Sequence, residues 1–170
     1  MESKKTHVMY GLVAGILTVI LAMVMHFAKL EEKPLVGWLT YIPFLAAMVM
    51  NAMNFSKTND GYVTFKQLFG SCFKASMIVA LFMVVWTVVS LYAFPEIKEK
   101  ALETARIEML KKPGMTDDTA DAALNIVKKG YGTILVSSAV FGSLFIGAIF
   151  SLIGATVAQK KGERPVTDNF

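Results

Sequence analysis

Carboxylates recur at helical spacing in the middle of this chain: Glu99 with Glu103, and Asp117 with Asp121. Side chains four residues apart share a helix face. Each pair therefore has the spacing to chelate a hard divalent cation or to divide acid and base roles. The setting weakens both uses, because each pair stands among lysines with no third ligand or nucleophile beside it. Ordinary helix-surface and helix-start carboxylates explain them better. Eleven methionines and one cysteine raise a second chemistry, since soft sulfur ligands suit Cu(I). Met23, Met25 and His26 form one cluster and Met48, Met50 and Met53 another, with His7 and Cys72 nearby. The two clusters fall near opposite faces of the membrane described below, and neither holds a ligand set of its own. Methionine filling gaps in a core is the simpler reading. The chain has no Gly-rich phosphate loop, no Ser/His/Asp arrangement and no zinc spacing. These patterns predict no enzyme activity, no cofactor and no metal.

The elements that carry these residues are set by composition. Hydrophobic residues make up 55% of the 170 and charged ones 18%, and the mean hydropathy is +0.53. Too few charges remain to cover a soluble surface. Four apolar runs, about 8–29, 35–55, 66–94 and 133–158, are long enough to cross a hydrocarbon core as helices. The first exceeds the length of a signal-peptide core and lacks a clean cleavage site, so it reads as an uncleaved span. Aromatic residues fall at the ends of the runs, with Trp38, Tyr41, Tyr92 and Tyr131 at one interface and Tyr10 and Tyr62 at the other. The predicted fold is all-α, an integral membrane four-helix bundle in a single domain over 1–170. No Asp, Glu, Lys or Arg lies in the middle of any run, whereas ion-coupled transport usually marks itself with such charges. Asn51 and Asn54 are the nearest substitutes, and Pro43 is placed to kink the second span.

Four spans put both termini on one side. That side carries Lys4, Lys5, Lys57, Lys66, Lys74, Lys160, Lys161 and Arg164 against Glu2, Asp60, Glu163 and Asp168, which accounts for the whole net charge of +4. The other side carries Lys29, Glu31, Glu32, Lys33 and a balanced segment over 95–130. Basic flanks favour the cytoplasm, so both termini are expected there. Such flanks suit anionic lipid headgroups and imply no nucleic acid.

Segment 95–130 reads as an extramembrane helical hairpin. Pro95 suits a first helical turn, and Glu96 with Lys100 and Glu108 with Lys112 are favourably ordered pairs. Pro113-Gly114 breaks that helix. Thr116 is an N-cap, with Asp117 and Asp118 at the positive end of the next helix. Ala120, Ala123, Leu124 and Val127 form its apolar stripe, Lys128 and Lys129 finish that helix, and Gly130-Tyr131-Gly132 allows a bend into the fourth span.

The strongest pattern within the spans is Ala139, Ser143, Gly147, Ser151 and Ala155, five small residues four apart; Gly11 and Gly15 add a second small face. Such faces let helix backbones approach closely. They serve either a homo-oligomer or larger membrane complex, or close packing of the first and fourth spans within one subunit.

GYVTFKQLFGSCFKASMIVALFMVVWTVVSLYAFPEI, then ALETARIEMLKKPGMTDDTADAAL, then VFGSLFIGAIFSLIGATVAQKK together resemble the bacterial membrane family known as domain of unknown function 4199. The shared features are Gly-Tyr-x-x-Phe-x-Gln-x-Phe before the third span, an early Pro after it, Gly-Met-x-x-Asp at the hairpin turn, and a small-residue fourth span ending in Lys-Lys. The resemblance implies a four-span envelope protein and brings no catalytic residues. The expectation is a multi-pass protein of the bacterial cytoplasmic (inner) membrane, a non-enzymatic accessory or structural component whose partner is the lipid bilayer and which associates through small-residue faces. The alternative is a subunit of a small-solute transporter or channel.

Overall fold

The computed structural model describes residues 5–30 and 37–162. The expected charges at Glu2, Lys4, Glu31, Glu32, Lys33, Glu163, Arg164 and Asp168 lie outside the described residues, as does the start of the second run at 35–36. Among the described residues five helices follow one another: α1 (Thr6–Phe27), α2 (Tyr41–Thr58, entered through a 3-10 turn at Trp38–Thr40), α3 (Phe65–Ala93), α4 (Pro95–Leu110) and α5 (Asp117–Val157). No strand occurs among the described residues. Four of the helices, with the 3-10 turn counted into the second, are long and apolar enough to cross a membrane.

Local chemistry explains where the helices start. Thr64 and Gln67 cap α3 reciprocally: the Thr64 amide donates to Gln67 Oε1 at 2.9 Å and the Gln67 amide to Thr64 Oγ1 at 3.3 Å. Pro95 occupies the first turn of α4 directly after Phe94. Thr116 caps α5 as expected, with Thr119 as its partner: each backbone amide donates to the other's hydroxyl, at 3.3 and 3.4 Å. Gly114 takes φ +82° in the turn between α4 and α5, a conformation that favours glycine.

The expected bend at Gly130-Tyr131-Gly132 is absent, because α5 runs unbroken for 41 residues. At 1.5 Å per residue that is roughly 60 Å, about twice the hydrocarbon thickness. Glycine weakens a helix by only about 1 kcal/mol against alanine, which helix formers on both sides override. Gly132 serves another purpose, since a Cβ there would lie 3.1 Å from Leu91 Cδ2. The residue marks a close approach of α3 to α5.

The chain divides into two compact units, Met1–Met83 with Val140–Phe170, and Val84–Ala139. The first has a core of Ala14, Phe44, Met48, Leu68, Cys72 and Val79, with Phe150 edge-on to Phe44 at 5.2 Å between ring centres. Its outer faces are apolar, including Phe141, Phe145 and Leu81, all well exposed. Exposed rings of this size are costly in water and ordinary in lipid. The second unit holds the end of α3, all of α4 and the start of α5. Here the Arg106 guanidinium joins α4 to α5, donating to Asp117 at 2.7 Å and Asp121 at 2.9 Å. Glu108 pairs with Lys111, three residues on, at 2.7 Å; the expected partner was Lys112.

Candidate functional site: small-residue seams and a buried polar cluster

Gly11 and Gly15 lie buried on α1 and face α3. A Cβ on Gly11 would stand 2.8 Å from the Ala75 carbonyl oxygen and 2.9 Å from Ile78 Cβ, and one on Gly15 would stand 2.6 Å from the Phe82 ring. On α5, Gly147 meets Ser76 of α3, with Oγ 2.7 Å from the position of an added Cβ. Ser151 and Ala155 are fully buried, and the Ser151 hydroxyl turns back to donate to the Gly147 carbonyl at 2.6 Å. The small faces therefore pack inside the subunit. The partner at these glycines differs from the sequence expectation of α1 against α5: the nearest neighbours of Gly11 and Gly15 come from α3, and those of Gly147 from α3 and α2. The remaining members of the stripe, Ala139 and Ser143, are half-buried.

A four-residue period does not reveal Gly154, yet Gly154 makes the tightest backbone approach of the α5 seam. Its Cβ would fall 2.8 Å from the Met48 carbonyl oxygen and 3.4 Å from Cys72 Sγ. A seven-residue step from Gly147 was the available signal, since two helical turns return to the same face.

Beneath Gly154 lies a polar cluster with no solvent exposure at its centre. Asn51 Nδ2 donates to Ser71 Oγ at 3.2 Å and to Cys72 Sγ at 3.6 Å, and Cys72 in turn donates to the Met48 carbonyl at 3.3 Å. Asn51 Oδ1 is buried without a partner. Hydrogen bonds of this kind between membrane helices contribute about 0.6 kcal/mol on average, because the separated helices also find partners. Two other buried hydroxyls are satisfied within their own helix, Thr18 donating to Ala14 O at 2.7 Å and Ser76 to Phe73 O at 2.8 Å, whereas Thr6 Oγ1 is buried without a partner. Asn54 reaches across to α1 and donates to Tyr10 Oη at 3.3 Å. At the end of α5, Ser56 donates to the Gln159 carbonyl at 2.6 Å and the Lys161 amide to the Gly61 carbonyl at 2.8 Å, which fastens the helix end to the α2–α3 turn.

The sulfur and carboxylate patterns are dispersed. Met48 and Met25 are buried while Met23, Met50 and Met53 face outward, and His26 stacks edge-on to its neighbour Phe27 at 5.6 Å. Among the described residues no three of His, Cys, Asp and Glu come close enough to hold a metal. Asp117 and Asp121 converge on Arg106, and Glu99 and Glu103 are exposed. The hydrogen bond from Arg106 holds the Asp121 carboxyl below the ordinary aspartate range against the opposing effect of desolvation, with the Arg106 charge adding to it. The Lys111 ammonium lowers Glu108 in the same way.

Helices of this length and composition, with lipid-facing aromatic residues and internally packed small-residue seams, define a polytopic α-helical membrane protein. The family model described as protein of unknown function, DUF4199, matches residues 9–160. The chain belongs to that family. No curated protein and no solved structure matched.

Proposed function

We propose that this chain is a non-enzymatic accessory or structural component of the bacterial cytoplasmic membrane, with both termini in the cytoplasm and the α4–α5 hairpin on the opposite side. It associates with a second copy or a larger membrane complex through the outward face of α5 around Gly142. The observation that carries this reading is the surroundings of Gly142. A Cβ added there would meet nothing within 4 Å. The flanking Phe141 and Phe145 are 73% and 70% exposed. A mid-span glycine weakens its helix, and close approach of another helix is the usual return for that weakness. The seams at Gly11, Gly15, Gly147, Ser151 and Ala155 are already filled from within the chain, so the half-buried Ala139 and Ser143 are what remains of the small-residue stripe, with Gly142 beside Ser143 open to a partner.

The test pairs two substitutions and reads native-gel migration after extraction in mild detergent. Gly142→Leu is expected to release a faster-migrating species with unchanged helix content. Unchanged migration of a folded Gly142→Leu variant, or a wild-type chain that already runs as a lone monomer, overturns the association. Gly147→Leu serves as the reference for a substitution that disturbs the subunit itself.

A further inference from the structure

The second unit contains a shallow, open-sided groove between the end of α3, the start of α4 and the middle of α5. Its walls are of two kinds. Leu91, Phe94, Ile97 and Leu135 form an apolar slot, and Lys98 and Tyr131 stand at its polar end. The slot sits where both apolar runs give way to charge, after Phe94 in one and before Thr133 in the other. That level corresponds to the boundary between acyl chains and headgroups.

The ammonium at this boundary rests on an aromatic ring. Lys98 Nζ lies 5.6 Å from the centre of the Tyr131 ring, close enough for cation–π attraction. Among the described residues no carboxylate bridges it. Lys128 is exposed and lies three residues before Tyr131 and seven before Leu135, so it shares their stripe of α5. On the Lys128 stripe of α5 the carboxylates, Asp117 and Asp121, are bound to Arg106. An ammonium at the polar end of an apolar slot, with a second lysine on the same stripe of α5, matches one class of ligand in both halves.

We infer that this groove binds a phospholipid with an anionic headgroup, its phosphate between Lys98 and Lys128 and an acyl chain along Leu91 and Leu135. A lysine stem lying on apolar surface with its ammonium at the headgroups is the geometry such side chains favour at this depth. The inference is independent of the association proposed at Gly142, which involves a different stretch of α5.

Trp86 supplies the reporter, because its ring centre is 6.3 Å from that of Phe94 in the groove wall. In a Trp38→Phe background Trp86 is the sole indole. The full chain is reconstituted in phosphatidylcholine vesicles containing a minor fraction of brominated phosphatidylglycerol or, in parallel, brominated phosphatidylcholine, and quenching is compared. One lysine near the surface is expected to give about fivefold selectivity for the anionic lipid. Lys98→Ala combined with Lys128→Ala should abolish it, Lys98→Arg should keep it, and Lys111→Ala with Lys112→Ala in the hairpin turn should leave it unchanged. Helix content by circular dichroism confirms folding of each variant, and Lys98→Gln, which keeps the stem, replaces the double variant if that one fails. Equal quenching by the two lipids in the wild-type chain overturns the inference. So does selectivity that survives the double substitution, or that the turn variant removes equally. Loss of selectivity on adding inorganic phosphate at constant ionic strength would assign the site to a free anion and also overturns it.

Discussion

One helix, α5, belongs to both units, and its two ends are built on opposite terms. From Gly147 to Ala158 the inward face is glycine, serine and alanine, pressed against the backbone and side chains of α2 and α3. From Asp117 to Lys129 the same helix carries three aspartates and two lysines, and its tie to α4 is the exposed Arg106 bridge. The difference follows from the solvent. Lipid tails are as apolar as leucine, so burying leucine gains little there, and van der Waals contact between close backbones must hold the helices. In the headgroup and water layers charge is cheap to expose, and ion pairs between exposed groups are weak but specific. The first end is therefore intolerant of added volume, whereas the second is sensitive to charge.

The largest effect expected from that contrast is at Gly154. Gly154→Leu must move the Met48 carbonyl or α5 itself, because even a Cβ would lie 2.8 Å from that oxygen. Overpacking a filled seam costs about 3 kcal/mol. Denaturant titration in mixed micelles should show the loss together with disturbed packing at the only cysteine, Cys72, read as faster reaction with a thiol reagent. The matched substitution Gly142→Leu should leave both readings unchanged in the subunit. Equal destabilisation by the two would refute the distinction between filled and open faces.

The sequence makes much of this legible and hides a specific remainder. Spans, hairpin, Thr116 cap and the Pro113-Gly114 break are readable because each depends on local chemistry or on the length of an apolar run. The bend at Gly130–Gly132 is misread because glycine signals both a break and a close approach, and only the neighbour, Leu91, decides which. The small stripe is readable as a packing face, but its partner is not: periodicity shows that a face exists and carries no record of which helix covers it. Gly154 escapes the four-residue stripe because it lies two helical turns, seven residues, beyond Gly147. Asn51 is noticed as polar, yet its link to Ser71 and Cys72 joins residues 20 and 21 positions apart, beyond the reach of any local pattern.

The two glycines of the misread bend offer the next test. Gly130 meets only Ile134 of its own helix, at 3.5 Å, whereas Gly132 would drive a Cβ to 3.1 Å from Leu91. Gly130→Ala should therefore stabilise the continuous helix by about 0.5–1 kcal/mol, and Gly132→Ala should gain less or lose. Hydrogen exchange of the amides around 126–134 reads the outcome directly. A bent helix would give the reverse result, because alanine at either position would then resist the turn.

The smallest effect belongs to the charged end and appears as a pH dependence. Asp121 is depressed in the folded chain by its hydrogen bond to Arg106, so the folded state binds that proton less readily than the unfolded chain does. The contribution is fully present above the unfolded aspartate value of about 4 and disappears as pH falls through the lower folded value. Arg106 is shifted upward by the same contact, led by the hydrogen bond to Asp121, and stays charged throughout this range. Carboxyl-carbon NMR of the labelled chain in micelles should place the Asp121 midpoint below that ordinary value, and Arg106→Gln should raise it. Loss of protection in the first turns of α5 should follow the same midpoint, with the seam at Gly154 unaffected across the titration. An Asp121 midpoint that does not respond to Arg106→Gln would mean that the bridge is too mobile in solution to hold the hairpin.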